Sequence, residues 1–326
     1  MHDLKALRRL LEDYQAQNPF ARSPRELYEP ANYIMNLGGK RMRPLLTLVA
    51  YQMFHPYDLE EVLPIAFAVE VFHNFTLMHD DIMDDAPIRR GKPTVHTQWD
   101  ANTAILSGDV MLISAYENLM QFRREAQLSR LVRVFNRVAR EVCEGQQMDM
   151  NFEKRSDVSI PEYIRMIELK TAVLLGGSLE LGAIAAGAKE QDITNLSEFG
   201  RNIGIAFQLQ DDILDTFGDA EKFGKKIGGD IAQNKKTFLV LKTMEVANSD
   251  QLSLLNEQFS RPPADEAQKI AEVTQLFHDL DIPHLAARER DRFRDLAFSH
   301  LEAVQVAKEE KNLLHAMTDM VISRDH

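Results

Sequence analysis

Two short acidic motifs have the residue types and the spacing that a metal ion needs. Asp80-Asp81-x-x-Asp84 closes an apolar run, and Asp211-Asp212-x-x-Asp215 repeats its spacing after another such run. Carboxylates at the end of an apolar helix repel one another and desolvate at high cost unless cations join them. Residues four apart share one helical face, so three carboxylates from one turn suit a hard cation with oxygen ligands, most naturally Mg²⁺. The alternative, a pair of solvated acidic helix ends, is disfavoured by the repetition.

Two basic segments could hold an anion. Gly38-Gly39 precede Lys40, Arg41 and Arg43 at a predicted helix start, where backbone N–H groups and cations can bind phosphate. Arg89 and Arg90 follow the first acidic motif, and because they are adjacent they could contact two separate anions. A solvated basic turn and a pair of surface arginines are the plain alternatives.

Further along the chain, Lys170-Thr171 lie in an otherwise apolar helix with small neighbours, which favours a buried functional lysine over one that snorkels to the surface. Gln208 lies three residues before Asp211, on the same predicted face. After Asp215, a segment rich in glycine contains Lys225, Lys226, Lys235 and Lys236. That segment is either a mobile basic lid or an ordinary exposed loop.

The composition excludes several classes of protein. The 326 residues are 44% hydrophobic, with a net charge of −12 and a pI of about 5.4, which is unlike the basic face of a nucleic-acid binder. Cys143 is the only cysteine, so no intrachain disulfide can form and a cytoplasmic location fits. The N-terminus has no signal-peptide core, and the long apolar stretch from Val173 to Ala188 contains Glu180, so we expect no stable membrane insertion. The histidines show no zinc-type spacing.

Helical periodicity covers nearly the whole chain, which predicts one all-α domain over residues 1–326. The two acidic motifs are 131 residues apart, so we expect them to meet across a shared cavity. The predicted helices are 3–18, 25–37, 44–55, 58–81, 99–122, 127–151, 161–187, 191–217, 235–248, 250–259, 263–279, 284–304 and 306–323.

Taken together, these motifs resemble those of the trans-isoprenyl diphosphate synthases, the polyprenyl synthetases, over nearly the whole chain. The matching elements are Gly39-Lys40-Arg41-x-Arg43-Pro44, His73, Asp80-Asp81-x-x-Asp84, Arg89 to Thr94, Lys170-Thr171, Gly204-x-x-Phe207-Gln208-x-x-Asp211-Asp212-x-x-Asp215, Gly224-Lys225, Gly228-x-Asp230 and Lys235-x-Thr237.

The resemblance implies an isoprenoid-synthase-type bundle of antiparallel helices around a deep cavity, usually as a homodimer. It also implies three Mg²⁺ ions per active site, which chelate an allylic diphosphate. Asp80, Asp81, Asp84 and Asp211 would then be metal ligands, with Asp212 and Asp215 in support. The residues implied for the allylic diphosphate are Arg89, Lys170, Lys225 (or Lys226) and Lys235. Those implied for isopentenyl diphosphate are Lys40, Arg43, His73 and Arg90.

The implied chemistry is ionisation of the allylic diphosphate, attack by isopentenyl diphosphate on the allylic cation, and loss of a proton. Thr171, Gln208 and the carbonyl of Lys170 are suited to stabilising the cation, and Phe207 belongs to the same substrate-binding set. An apolar cavity would keep water away from the cation.

Product length depends on the helix before Asp80. Phe75 lies five residues upstream, about 7.5 Å along a helix axis, and Phe72 about 12 Å. In the family, a bulky residue at the fifth upstream position limits the product, and the small Thr76 leaves room above it. We therefore expect C20 geranylgeranyl diphosphate or, next, C15 farnesyl diphosphate, although Phe75 could also simply pack in the core.

Other functions remain to be weighed. A longer-chain polyprenyl diphosphate synthase would share all of these motifs. A terpene cyclase would lack the site for a second diphosphate formed by Lys40, Arg43 and Arg90. A silent regulatory subunit of a heteromeric prenyltransferase would ordinarily lose part of one aspartate motif, and both are intact here.

Overall fold

The computed structural model describes residues 2–218, 227–260 and 266–322. Lys225 and Lys226 therefore lie outside the described residues. The described part is helical apart from one two-stranded hairpin, β1 (Ile88–Arg89) antiparallel to β2 (Lys92–Pro93). This confirms the predicted all-α class.

The chain divides into two compact units. The first comprises Met1–Val138, Leu175–Ser197 and Ala303–Met317, and the second comprises Ala139–Leu174, Glu198–Glu302 and Thr318–His326. The helices are α1 (Leu4–Gln17), α2 (Arg25–Asn36), α3 (Met42–Phe54), α4 (Leu63–Met83), α5 (Val95–Gln98), α6 (Ala101–Leu119), α7 (Glu125–Lys154), α8 (Ile160–Ile167), α9 (Val173–Ala186), α10 (Glu190–Phe217), α11 (Gly229–Ala232), α12 (Phe238–Val246), α13 (Ser249–Ser260), α14 (Glu266–Asp279), α15 (Ile282–Ala303) and α16 (Lys308–Ile322).

Helix α4 is the core of the first unit. Every residue from Leu63 to Phe72 is buried and all but Glu70 are apolar, as expected of a helix packed all round, and α1, α2, α3 and α6 lie against it. A 3-10 turn at Leu59–Glu61 precedes it, and Pro64 occupies its first turn, where the missing N–H costs nothing. The helix therefore begins later than predicted, and it carries the first aspartate motif at its C-terminal end.

In the second unit, α8 packs against α12, and α14 packs against α11 and α13. A capping box starts α8: Ser159 and Glu162 satisfy each other's backbone N–H groups, with Pro161 in the first turn. The helix predicted at 161–187 is not uniform, because Glu168–Ala172 form a π-helical segment between α8 and α9. Such segments are frequent at functional sites.

Within the part of the chain that the structure describes, two segments are long and apolar enough to cross a membrane by composition alone, Leu59–Met83 and Ile160–Ala186. Most of each is buried inside the structure, 78% and 83% of the apolar window respectively. Core helices of soluble proteins pass the same test, so these two carry little weight as membrane spans.

Candidate active site

The three carboxylates of the first aspartate motif differ in their exposure to solvent. Asp81 is buried, with 2% of its surface exposed, whereas the side chain of Asp80 is 21% exposed and Asp84 is exposed at the C-cap of α4. Within residues 2–218, 227–260 and 266–322, no group of three or more His, Cys, Asp or Glu side chains forms a ready-made metal site. The physical reason is that Asp81 turns inward to an arginine.

That arginine is Arg89. Its Nε lies 2.8 and 2.9 Å from the two oxygens of Asp81, and its Nη2 lies 2.6 Å from Oδ1 of Asp81 and 4.0 Å from Asp80. Burial raises the pKa of Asp81, and the charge and hydrogen bonds of Arg89 oppose the rise. Arg89 thus presents positive charge directly beside the first motif.

Two features fix the hairpin that carries Arg89: its tight turn and the hydrogen bonds of the residue that follows it. Arg90 and Gly91 turn it with φ of 52° and 73°, the pattern of a tight two-residue hairpin turn. Thr94 is buried, and its Oγ1 donates to the carbonyl of Ala86 at 2.7 Å while its N–H donates to Pro87 at 3.1 Å. The segment after the first motif is therefore a closed hairpin that aims Arg89 and Arg90 differently.

A cationic cluster forms in the first unit from residues far apart in sequence. Nη1 of Arg43 lies 3.0 Å from Nε2 of His73, and Arg90 donates to the carbonyl of Gly38. A Cβ at residue 39 would lie 2.9 Å from Cζ of Arg90, so only glycine fits there. The structure thus brings together three of the four residues expected for isopentenyl diphosphate, while Lys40 is exposed on the same turn.

The electrostatics of the cluster favour an anion. Burial lowers the pKa of Arg43 to about 10, and burial together with the charge of Arg43 holds the pKa of His73 well below its usual value. His73 is therefore neutral at pH 7. The Nε of Arg43 is buried and has no hydrogen-bond partner among the residues that the structure describes. A diphosphate would supply that partner and relieve the repulsion between guanidinium groups.

The second aspartate motif lies on α10. Phe207, Gln208, Asp211 and Asp215 are all partly exposed, at spacings that place them on one face, as predicted. Asp215 accepts from the backbone N–H of Asp230 at 2.9 Å, which ties it to the start of α11. The face therefore offers two carboxylates and an amide together.

Asp212 is buried beside this face of α10. Its Oδ2 accepts from the hydroxyl of Tyr163 at 2.5 Å and from the N–H of Phe238 at 3.1 Å. Burial, and next the charge of Asp230, raise the pKa of Asp212 well above its usual value. These contacts anchor α10 to α8 and to the start of α12.

Lys170 and Thr171 both lie in the π-helical segment. The side chain of Lys170 is 26% exposed, so the lysine predicted to be buried is partly buried; its Nζ pairs with Asp149 on α7 at 2.6 Å, which explains its position. A Cβ at Gly145 of α7 would lie 2.2 Å from the backbone nitrogen of Lys170. Only glycine allows α7 to approach the π segment this closely.

Lys235 lies 3.6 Å from Asp230, just after the short helix α11, which sequence periodicity did not reveal. Its side chain is about half exposed, so it is accessible to a ligand. Gly224, Lys225 and Lys226, the remainder of the expected basic lid, lie outside the described residues.

A column of aromatic rings stands below the first motif. Phe75 contacts Phe72 (centroids 5.7 Å apart), Phe72 contacts Phe135 of α7 (5.3 Å), and Phe135 contacts Tyr116 of α6 (5.0 Å). Phe75, Phe72 and Phe135 are buried. The hydroxyl of Thr76 donates to the carbonyl of His73 at 2.8 Å, so the methyl group is the part of this side chain that remains for apolar contacts.

Comparison with known proteins decides the family. The family model for polyprenyl synthetases matches residues 24–277, more than half of the chain. The chain belongs to the polyprenyl synthetase family. The prediction that it is a trans-prenyltransferase of this family is thereby confirmed.

Individual relatives agree with this membership. A geranylgeranyl diphosphate synthase of Methanosarcina mazei is 37% identical, over 93% of this chain and 91% of its own. A crystal structure of a geranylgeranyl pyrophosphate synthase superposes with a TM-score of 0.94 at 44% identity, over the whole of both chains. A polyprenyl synthase of Caulobacter crescentus, solved with calcium and isoprenyl diphosphate, superposes with a TM-score of 0.86 at 26% identity, over 99% of this chain and 95% of its own. The isoprenoid-synthase-type fold is confirmed as well.

Several residues that hold the site of this polyprenyl synthetase in place were not predicted from the sequence. Tyr163 holds Asp212, Asp149 holds Lys170, and Glu70 forms a buried ion pair with Arg41 that fixes the cationic turn. The sequence contains one local signal for Asp149: it is an acidic residue in an amphipathic helix, one turn after Gly145. Tyr163 and Glu70 offered none, because their roles depend on contacts between distant segments.

Proposed function

We propose that this synthase condenses isopentenyl diphosphate head-to-tail with an allylic diphosphate (dimethylallyl, geranyl or farnesyl) in the trans configuration. The proposed product is C20 geranylgeranyl diphosphate. The names of the Methanosarcina enzyme and of the closely superposing crystal structure support this length over C15 farnesyl diphosphate. A longer-chain product is the second candidate, favoured only if Phe75 does not limit growth.

The observation that carries the proposal is the cluster of Arg43, His73 and Arg90. A terpene cyclase or a silent subunit needs no second diphosphate site, whereas a synthase must hold isopentenyl diphosphate apart from the allylic substrate. The buried and unsatisfied Nε of Arg43 fits one diphosphate oxygen. Arg90, fixed against Gly38, supplies a second guanidinium. Lys40, exposed on the same turn, completes the proposed site.

The two aspartate motifs fit magnesium by their donor chemistry, since all six side chains offer carboxylate oxygens. We propose Asp80, Asp81, Asp84 and Asp211 as ligands, with Asp212 and Asp215 in support, and three ions per active site. Bound magnesium would neutralise the charge that develops on the departing diphosphate. Asp212 would act mainly by holding α10 in place, because Oδ2 is already engaged by Tyr163 and Phe238.

The remaining proposed roles concern the allylic substrate. Arg89, which faces Asp80 and Asp81, would bind its diphosphate. Thr171 and the carbonyl of Lys170, both in the π segment, would stabilise an allylic cation, while Gln208 and Phe207 would contact the chain near the reacting carbon. The residues proposed for this side are Arg89, Lys170, Thr171, Phe207, Gln208, Lys225 and Lys235.

We propose that the growing product runs along α4 until it meets Phe75, with Phe72 behind it and Thr76 above. The supporting observation is the column of rings, which is closed by Phe135 and Tyr116. An isoprenoid chain would bury its apolar surface there and keep water from the cation.

A homodimer and a cytoplasmic location complete the proposal, with one domain spanning residues 1–326. Leu106 and Ile113 of α6 and its C-cap residue Met120 recur every seven residues on one side of the helix and are 57 to 64% exposed. A second copy of the chain would cover this face. Light scattering tests it: wild type should have twice the mass of the chain, and Ile113→Glu should yield monomer.

The experiment that tests the activity is incubation with isopentenyl diphosphate, each allylic primer and Mg²⁺, followed by chromatography of the products. Wild type should elongate farnesyl diphosphate to C20, and Arg43→Gln should raise the KM for isopentenyl diphosphate far more than that for the primer. Arg133, an exposed arginine on α7, provides the matched control as Arg133→Gln, which should change neither. Cyclised products, or no elongation by wild type, would contradict the proposal.

A further inference from the structure

The imidazole of His79 on α4 is held by two contacts, one of them to α6. Its ring meets that of Phe75 edge-on, with centroids 4.8 Å apart and planes at 67°. Its Nε2 lies 3.1 Å from the carbonyl oxygen of Ile105. A carbonyl oxygen accepts only, so Nε2 must carry the proton and donate it.

The seat for this imidazole depends on Gly108. A Cβ built on Gly108 would lie 2.2 Å from Nε2 and 2.6 Å from Cδ2 of His79. Any side chain at position 108 would therefore displace the imidazole or force α4 and α6 apart. The histidine is thus fitted into a space that α6 provides through one glycine and one carbonyl group.

The hydrogen bond to Ile105 leaves Nε2 of His79 unable to bind a metal ion, although His79 directly precedes Asp80. Since Nε2 donates to Ile105, that nitrogen has no lone pair for an ion. The imidazole instead extends the column formed by Phe75 and Phe72. It contacts Phe75 from the C-terminal side along α4, whereas Phe72 contacts Phe75 from the N-terminal side.

We propose that His79, seated by Gly108 and Ile105, is a positioning residue that holds the ring of Phe75 and thereby sets the length of the product. This inference rests on the proposed function, in which Phe75 stops the growing chain. A phenylalanine side chain has two torsions, so its ring can swing when a neighbour on one side is removed. His79→Ala opens such a space beside Phe75, and the chain can then grow past it.

The test is product chromatography after elongation of farnesyl diphosphate with excess isopentenyl diphosphate and Mg²⁺. His79→Ala should lengthen the main product by at least one C5 unit. The kcat/KM for the first condensation should stay within about threefold of wild type, which corresponds to a change in activation free energy of at most about 0.65 kcal/mol at RT of about 0.59 kcal/mol. His79→Gln retains an N–H donor for the Ile105 carbonyl and should restore most of the wild-type length. Gly108→Ala, which evicts the imidazole from the other side, should also alter the length distribution.

His55 provides the matched control. It meets Tyr51 edge-on at 5.2 Å in the same unit, away from the aromatic column, so His55→Ala removes a similar contact and should leave product length unchanged. If wild type elongates its primer but His79→Ala and Gly108→Ala give wild-type lengths, the positioning role is refuted and the proposed function stands. If wild type gives no elongation at all, the proposed function itself fails. If His79→Ala does not fold, the product lengths of Gly108→Ala and His79→Gln test the positioning role instead.

Discussion

Replacing Phe75 by alanine should lengthen the product by about one isoprene unit. Phe75 lies five residues before Asp80 and Phe72 eight, so the next ring along α4 lies about 4.5 Å deeper at 1.5 Å per residue. One isoprene unit adds four chain carbons, which extend about 5 Å with bonds of about 1.5 Å. The space released by Phe75→Ala therefore accommodates one further unit, and growth stops at Phe72, which rests on Phe135.

The assay is elongation of farnesyl diphosphate with labelled isopentenyl diphosphate, with the chain length read after dephosphorylation. Wild type should stop at C20, Phe75→Ala at about C25, and Phe75→Ala with Phe72→Ala beyond that length. Removal of a buried phenylalanine costs about 3 to 5 kcal/mol of stability, so thermal unfolding must be measured on each variant. Phe75→Leu, which costs less, should give a mixture of the two lengths.

Phe293 on α15 is the matched control, because it is buried to a similar degree and lies in the other unit. Phe293→Ala should lower stability and leave the product at C20. An unchanged product from Phe75→Ala, in a protein that folds and turns over, would refute the assignment of Phe75 as the stop. So would an equal lengthening by Phe293→Ala, since the effect would then come from loss of stability alone.

Three further perturbations follow from the site. Tyr163→Phe removes the hydroxyl that holds Asp212, so the Mg²⁺ concentration for half-maximal rate should rise about tenfold, as measured by titration of the initial rate. Arg89→Lys loses the forked contact with Asp81 and should lower kcat/KM for the allylic substrate by roughly 100-fold in steady-state kinetics. Burial depresses the pKa of His73 in the folded protein, so protons bind the unfolded state preferentially as pH falls. The free energy of unfolding should therefore be lost below about pH 6.5, by up to about 1.4 kcal/mol per pH unit, and His73→Gln should not show this loss in urea melts at pH 7 and 5.

Each of these has a control or a contrary result. Arg130, which forms a forked pair with Glu190 on the surface, is the control for Arg89, and Arg130→Lys should leave kcat/KM unchanged. A Tyr163→Phe variant with wild-type magnesium dependence would show that Asp212 needs no anchor. Equal pH profiles for wild type and His73→Gln would show that His73 is not held neutral.

The sequence predicts the long helices well because their apolar residues recur with the helical period, and that period alone determines which face is buried. It misses α5, α11 and the π segment. Each is four or five residues long, too short for any period to be visible. The π segment matters most, since it carries Lys170 and Thr171, and its form depends on the close approach that Gly145 allows.

The site shows the same division between local and long-range information. The aspartate motifs and the cationic turn are contiguous, so their residue types and spacing could be found directly. The partners that hold them are distant: Tyr163 lies 49 residues from Asp212 and Asp149 lies 21 residues from Lys170. The inward turn of Asp81 could not be foreseen either, because it depends on where the hairpin places Arg89.

The most direct test of the central claim is elongation of farnesyl diphosphate by the purified full chain with isopentenyl diphosphate, measured with Mg²⁺ and again with excess EDTA. Metal-dependent condensation predicts C20 product with Mg²⁺ and none with EDTA, with Asp80→Asn and Asp211→Asn each nearly inactive. It would be contradicted by elongation that survives EDTA, or by full activity in either aspartate variant.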